Sequence, residues 1–105
     1  MSFAENLAGL PAVDGLAGLD LSTADGRGER IENRAGSAGS LRIYAFLAGK
    51  YGVIDATAAT EGLRLYAEHA ADARAHPGKH PNIDRLLVTA DGGEVWQARP
   101  IPAGQ

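Results

Sequence analysis

The chain has 105 residues, 13 acidic against 10 basic, and no cysteine. That length holds one domain rather than two. A net charge of −3 argues against general binding to nucleic-acid phosphates, and the missing thiols exclude disulfides, thiolate nucleophiles and cysteine-based zinc sites.

Twenty of the 47 hydrophobic residues are alanine, so the bulk left for a core is modest and self-association is expected to supplement it. No run of 18 apolar residues occurs, so no membrane span is expected. Glu5 stands where a secretory signal would carry positive charge, which makes the cytoplasm the expected location.

In chain order, Ser2 and Glu5 fit a capping box, and Phe3, Leu7 and Leu10 share one helical face, predicting a short helix over 2–8. After a connector from Pro11, Leu19 and Leu21 alternate with Asp20 and Ser22, as in a half-buried strand beginning near Ala17. Ala24-Asp25-Gly26 is turn chemistry. Arg27 to Asn33 returns as a weak second strand, with Ile31 as its large apolar residue and alternating Arg and Glu suited to a sheet edge. Asn33 to Ser40 reads as a loop ending in a serine cap.

Leu41 to Lys50 is apolar nearly all round and is predicted to be the central helix, stopped at Gly52. Phe46, between Arg42 and Lys50, is read as core in preference to a subunit contact. Asp55 caps a long helix over 56–75, with Ala59, Leu63, Tyr66, Ala70 and Ala73 as its apolar stripe and Pro77 as its end. Asn82 is expected to cap a short helix through Ile83, Leu86 and Leu87; the alternative is a strand over Arg85 to Ala90 with Asp91-Gly92-Gly93 as its turn. Glu94 to Arg99 reads as a strand ended by Pro100 and Pro102. These elements predict an α+β fold: one two-layer domain over 1–105, with a small antiparallel or mixed sheet made from the N-terminal hairpin and the C-terminal strand, covered by two central helices.

Three constellations bear on chemistry. Glu61, Glu68, Asp72 and His76, with His69 nearby, fall on one arc of the long helix. Carboxylate and imidazole at i, i+4 can meet one metal ion, so Glu68, His69, Asp72 and His76 form a candidate metal set, with His80 in reach. The arc lies opposite the apolar stripe, where solvated charges also belong. His76-Pro77-Gly78-Lys79-His80-Pro81-Asn82 is the second. His76, Lys79, His80, Asn82 and Arg85 are candidate ligand-binding residues for a phosphate or carboxylate, although a stiff exposed turn between helices explains the segment more simply. Gly36 to Ser40 joins a strand to a helix as phosphate loops do, but neither the Walker pattern nor the dinucleotide pattern is present, and a plain connector explains it more simply. Arg27, Arg30, Arg34 and Arg42 make a basic set that Glu29 and Glu32 dilute, so nucleic acid is not an expected partner. No complete catalytic motif is found.

The segments Arg30 to Asn33, Glu61 to His69 and His76 to Leu86 resemble those of a family of small bacterial proteins classed only as a domain of unknown function. The resemblance implies a bacterial, soluble, single-domain protein and carries no activity, cofactor or catalytic residue with it. The residues themselves point to a non-catalytic module acting through self-association, as a homodimer, or through a protein partner. The alternative is a metal- or anion-binding protein using the cluster at 69–85.

Overall fold

Leu19 and Leu21 lie fully buried on the strand β1 (Leu16–Ser22), while Asp20 and Ser22 face outward, so the alternation in the sequence sets which side of the sheet meets the core. The computed structural model describes residues 1–104. β1 pairs antiparallel with β2 (Gly28–Glu32), Leu19 opposite Ile31, and with β3 (Gln97–Pro102), Leu21 opposite Ala98. β1 is therefore central in a three-stranded antiparallel sheet of order β2-β1-β3. On the open face Asp20 takes hydrogen bonds from Arg30 and Arg99, one from each neighbouring strand.

The helices lie on the other face. α1 (Phe3–Ala8) starts at the expected capping box, with Ser2 and Glu5 bonded to each other's backbone amides. α2 (Ala38–Tyr51) is the central helix, with Leu41, Ile43, Tyr44 and Leu47 fully buried, and it stops at Gly52. It begins three residues earlier than the spacing predicts. Its first turn carries no side-chain cap, because the Ser37 hydroxyl donates to the Glu32 carbonyl at 2.6 Å instead. Phe46 packs half-buried against the core, with the Lys50 ammonium over its ring.

The long helix expected over 56–75 is two helices, α3 (Ala56–Tyr66) and α4 (Glu68–Ala75). Asp55 caps the first as expected. The break lies at Ala67, whose φ of 52° and ψ of −118° are outside the helical region. Docking of α1 accompanies it. The Leu65 carbonyl accepts from the buried Asn6 amide at 3.0 Å, and Glu68 accepts the Phe3 N–H at 2.8 Å. Of the expected apolar stripe Ala59, Tyr66, Ala70 and Ala73 are buried and Leu63 is half-buried, but the buried face of α3 turns to include Ala58, Gly62 and Leu65.

α5 (Pro81–Ala90) is the short helix, and it runs on through Val88-Thr89. Its N-cap is His80 rather than Asn82, since Pro81 occupies the first helical position, where the missing N–H costs nothing. The last strand is shifted towards the C-terminus: it runs through Pro100 and ends at Pro102. An edge strand tolerates proline because one side of its ladder is unpaired. Trp96, just before it, exchanges two backbone bonds with Ile54. The fold is thus α+β with five helices among the described residues, and none of them is long and apolar enough to cross a membrane.

Candidate functional site

α1, the start of α2, the α3–α4 junction and the start of α5 surround a cavity of about 470 Å³. Gly36, Ala38, Gly39 and Ser40 form one wall, and Lys79, His80, Pro81, Asn82 and Ile83 form another. Two segments about 40 positions apart, each singled out in the sequence on its own, thus meet at one place. Phe3 and Leu7 close the apolar side. Gly39 permits this approach, since a Cβ there would stand 3.0 Å from the Phe3 ring and 3.3 Å from Leu7. Phe3 also stacks on Tyr66 and meets the edge of His69 at 4.6 Å between centroids.

The loop carrying His76 to Asn82 is tied at both ends of its turn. Asp72 on α4 draws its side chains together: Oδ2 lies 2.6 Å from His80 Nε2 and 3.0 Å from Lys79 Nζ, and Oδ1 lies 3.8 Å from His76 Nε2. Asp84 on α5 accepts the Gly78 N–H at 2.9 Å. The His80 hydrogen bond, with that from Lys79, holds the Asp72 carboxyl at about 2, well below the usual carboxylate range. Asp72 itself does not line the cavity, whereas His80 and Lys79 do. It stands behind them as an orienting anion.

Backbone donors add to this wall. At the start of α2 the Ala38 N–H is taken by the Arg34 carbonyl and the Leu41 N–H by Ser37, while those of Gly39 and Ser40 have no partner among the described residues. At the start of α5 the same holds for Asn82, between a proline and an Ile83 N–H bonded to the His80 carbonyl. First-turn amides of this kind carry the positive end of the helix dipole.

Of the residues expected to bind a ligand, Lys79, His80 and Asn82 line the cavity, and His76 stays outside it, 3.8 Å from Asp72. Arg85 turns the other way. Its guanidinium donates to the Tyr44 hydroxyl, to Asn82 Oδ1 and to Glu29 Oε1, and lies over the Tyr44 and Trp96 rings. Burial pushes the Tyr44 hydroxyl up to about 12, so it serves here as a neutral partner.

Of the residues expected as metal ligands only Asp72 and His76 approach each other, at 3.8 Å. Glu68 is engaged with the Phe3 backbone, His69 with the Phe3 ring and the cavity, and Asp72 with the loop. Among the described residues no three His, Asp or Glu side chains are grouped so as to hold a metal ion. Glu61, on the same arc, is bonded to Lys50 and Tyr51 instead. In the basic set, Arg27 pairs with Glu94, Arg30 with Asp20, and Arg42 donates to the Leu10 carbonyl.

Two cavity residues, Tyr66 and Phe3, carried no signal of such a role. Ser40 and Tyr66 meet through their hydroxyls, Tyr66 donating to Ser40 Oγ at 2.7 Å, and Phe3 reads only as the apolar face of a terminal helix. Neither the curated proteins nor the solved structures include a match to this chain. A family model described as an uncharacterised protein conserved in bacteria, DUF2322, matches residues 3–100, and the chain belongs to that family.

Proposed function

We propose that this protein, working as one unit, binds a small anion in the cavity between α1, α2, α4 and α5. The observation that carries this reading is the make-up of the wall. In a chain with 13 acidic residues, the lining contains Lys79, His69, His80, Ser40 and Asn82 and, among the described residues, no carboxylate. The amides of Gly39, Ser40 and Asn82, without partners among the described residues, support the same sign of ligand.

Self-association has less support. Its motives are the modest core, the apolar surface of the central helix and the absence of a complete catalytic motif, and of these the helix surface is covered within the chain by its own neighbours. The large hydrophobics left exposed among the described residues are Met1, Val88 and Val95.

Thermal unfolding at constant ionic strength, with phosphate, sulfate, acetate and citrate in turn, tests the anion reading. A ligand that prefers the native state raises its stability by about 2.7 kcal/mol at a hundred times Kd. At least one of these anions is expected to raise Tm above a chloride control, and Lys79→Met is expected to reduce that rise. Equal Tm values in all five salts overturn the proposal.

A further inference from the structure

The Tyr66 hydroxyl is buried and has one hydrogen bond among the described residues, donated to Ser40 Oγ. Ser40 lines the cavity, and its own O–H has no acceptor among the described residues. A phenol donating into a serine oxygen polarises the serine O–H, so the pair offers the cavity one strengthened donor. The same wall holds one side chain of permanent positive charge, Lys79, and Asp72 at 3.0 Å already balances part of it. This arrangement suits one negative charge better than two.

The rest of the cavity is apolar. Phe3, Leu7 and Ile83 line it beside the donors. Its volume of about 470 Å³ falls in the range of organic-ligand sites, roughly 300–1,000 Å³, and exceeds what an inorganic oxyanion fills.

We infer that the ligand is an organic monocarboxylate with an aryl or alkyl body, its carboxylate received by the Ser40 hydroxyl and the Lys79 ammonium and its body lying on Phe3 and Leu7. This rests on the anion reading above and narrows it to one chemical class. Lys79 is the residue that distinguishes a carboxylate from a neutral analogue of the same shape, and Ser40, oriented by Tyr66, fixes where the carboxylate sits.

Titration of the ¹⁵N-labelled full chain with acetate, hexanoate, benzoate, benzamide and inorganic phosphate separates the outcomes. Hexanoate or benzoate is expected to bind at least tenfold more tightly than acetate, phosphate and benzamide, shifting the Gly39, Ser40 and Asn82 amides. Ser40→Ala is expected to weaken the better carboxylate at least tenfold, and Tyr66→Phe by a smaller factor, with both variants giving folded spectra. If phosphate binds and the carboxylates do not, this inference fails while the anion reading stands. If hexanoate and benzoate bind no better than acetate, the apolar half of the inference is wrong. If neither phosphate nor any carboxylate shifts those amides, both fail.

Discussion

Asp72 Oδ2 lies 2.6 Å from His80 Nε2, which joins α4 to the turn that opens α5. The same carboxylate holds Lys79, so one side chain behind the cavity sets the direction of two in front of it. A loop with two prolines and one glycine thereby gains a fixed shape through a partner seven and eight residues earlier in the chain.

That contact makes folding sensitive to acid. The folded Asp72 carboxyl titrates at about 2, while an unfolded aspartate titrates near ~3.9. Folding therefore favours the ionised form, and its contribution is present above the unfolded value and lost as pH falls through about 2. Asp72→Asn should be less stable than the parent near neutral pH, and the gap should narrow between about pH 4 and 2. Urea unfolding at a series of pH values measures this. A gap that stays constant over that range would show that the carboxylate charge is not involved.

Ala67 stores strain. Its φ of 52° with ψ of −118° is a conformation that costs a residue with a Cβ ~1–3 kcal/mol. Glycine removes the clash but adds about 0.5–1 kcal/mol of unfolded-chain entropy. Ala67→Gly is expected to stabilise the fold by about 1 kcal/mol, raising Tm by roughly 4–8 °C. A fall in Tm would mean that the junction is relaxed as it stands.

This junction marks where sequence reasoning stops. An alanine inside an alanine-rich periodic stretch carries no breaking signal, and the weakest helix former of 56–75, Gly62, lies inside α3 and not at the break. The break goes with the tertiary bond from Asn6 to the Leu65 carbonyl, which no local pattern encodes. The hairpin was legible because Leu19, Leu21 and the Asp25-Gly26 turn are local signals of period and turn type. Pro100 in β3 misled because edge position is a property of the sheet and not of the strand. The cavity follows the same division. Lys79, His80 and Asn82 announce themselves by density in one segment, but their meeting with Ser40 and Tyr66 depends on how α2 packs against α3 and α5.

Gly18 sits in the central strand opposite Glu32 and Ile101. A Cβ there would stand 2.6 Å from the Ile31 carbonyl oxygen, so β1 and β2 must separate to admit it. Glycine-to-alanine changes at unstrained positions stabilise by about 0.4–1 kcal/mol, but overpacking of this kind costs ~1–3 kcal/mol. Gly18→Ala is expected to destabilise by about 1–2 kcal/mol. Gly49→Ala, on an exposed helical position with nothing within 4 Å, is expected to stabilise by about 1 kcal/mol. Denaturant midpoints of the two variants should therefore move in opposite directions, and movement in the same direction refutes the crowding at Gly18.

Arg85 belongs to the structure and not to the cavity wall. Its side chain is 8% exposed while its partner Glu29 is 53% exposed, so the two ends of one ion pair differ in what they contribute. Arg85 also supplies bonds to the Tyr44 hydroxyl and to Asn82 Oδ1, which a lysine cannot match in number or geometry. Arg85→Lys is expected to cost about 1–3 kcal/mol, chiefly through a buried donor and acceptor left poorly paired. Glu29→Gln should cost less than about 1 kcal/mol, as for exposed pairs. Because Arg85 does not line the cavity, Arg85→Lys should leave the affinity for the better carboxylate within twofold of the parent, measured on the folded fraction at low temperature. A large loss of affinity with little loss of stability would place the guanidinium in ligand binding after all.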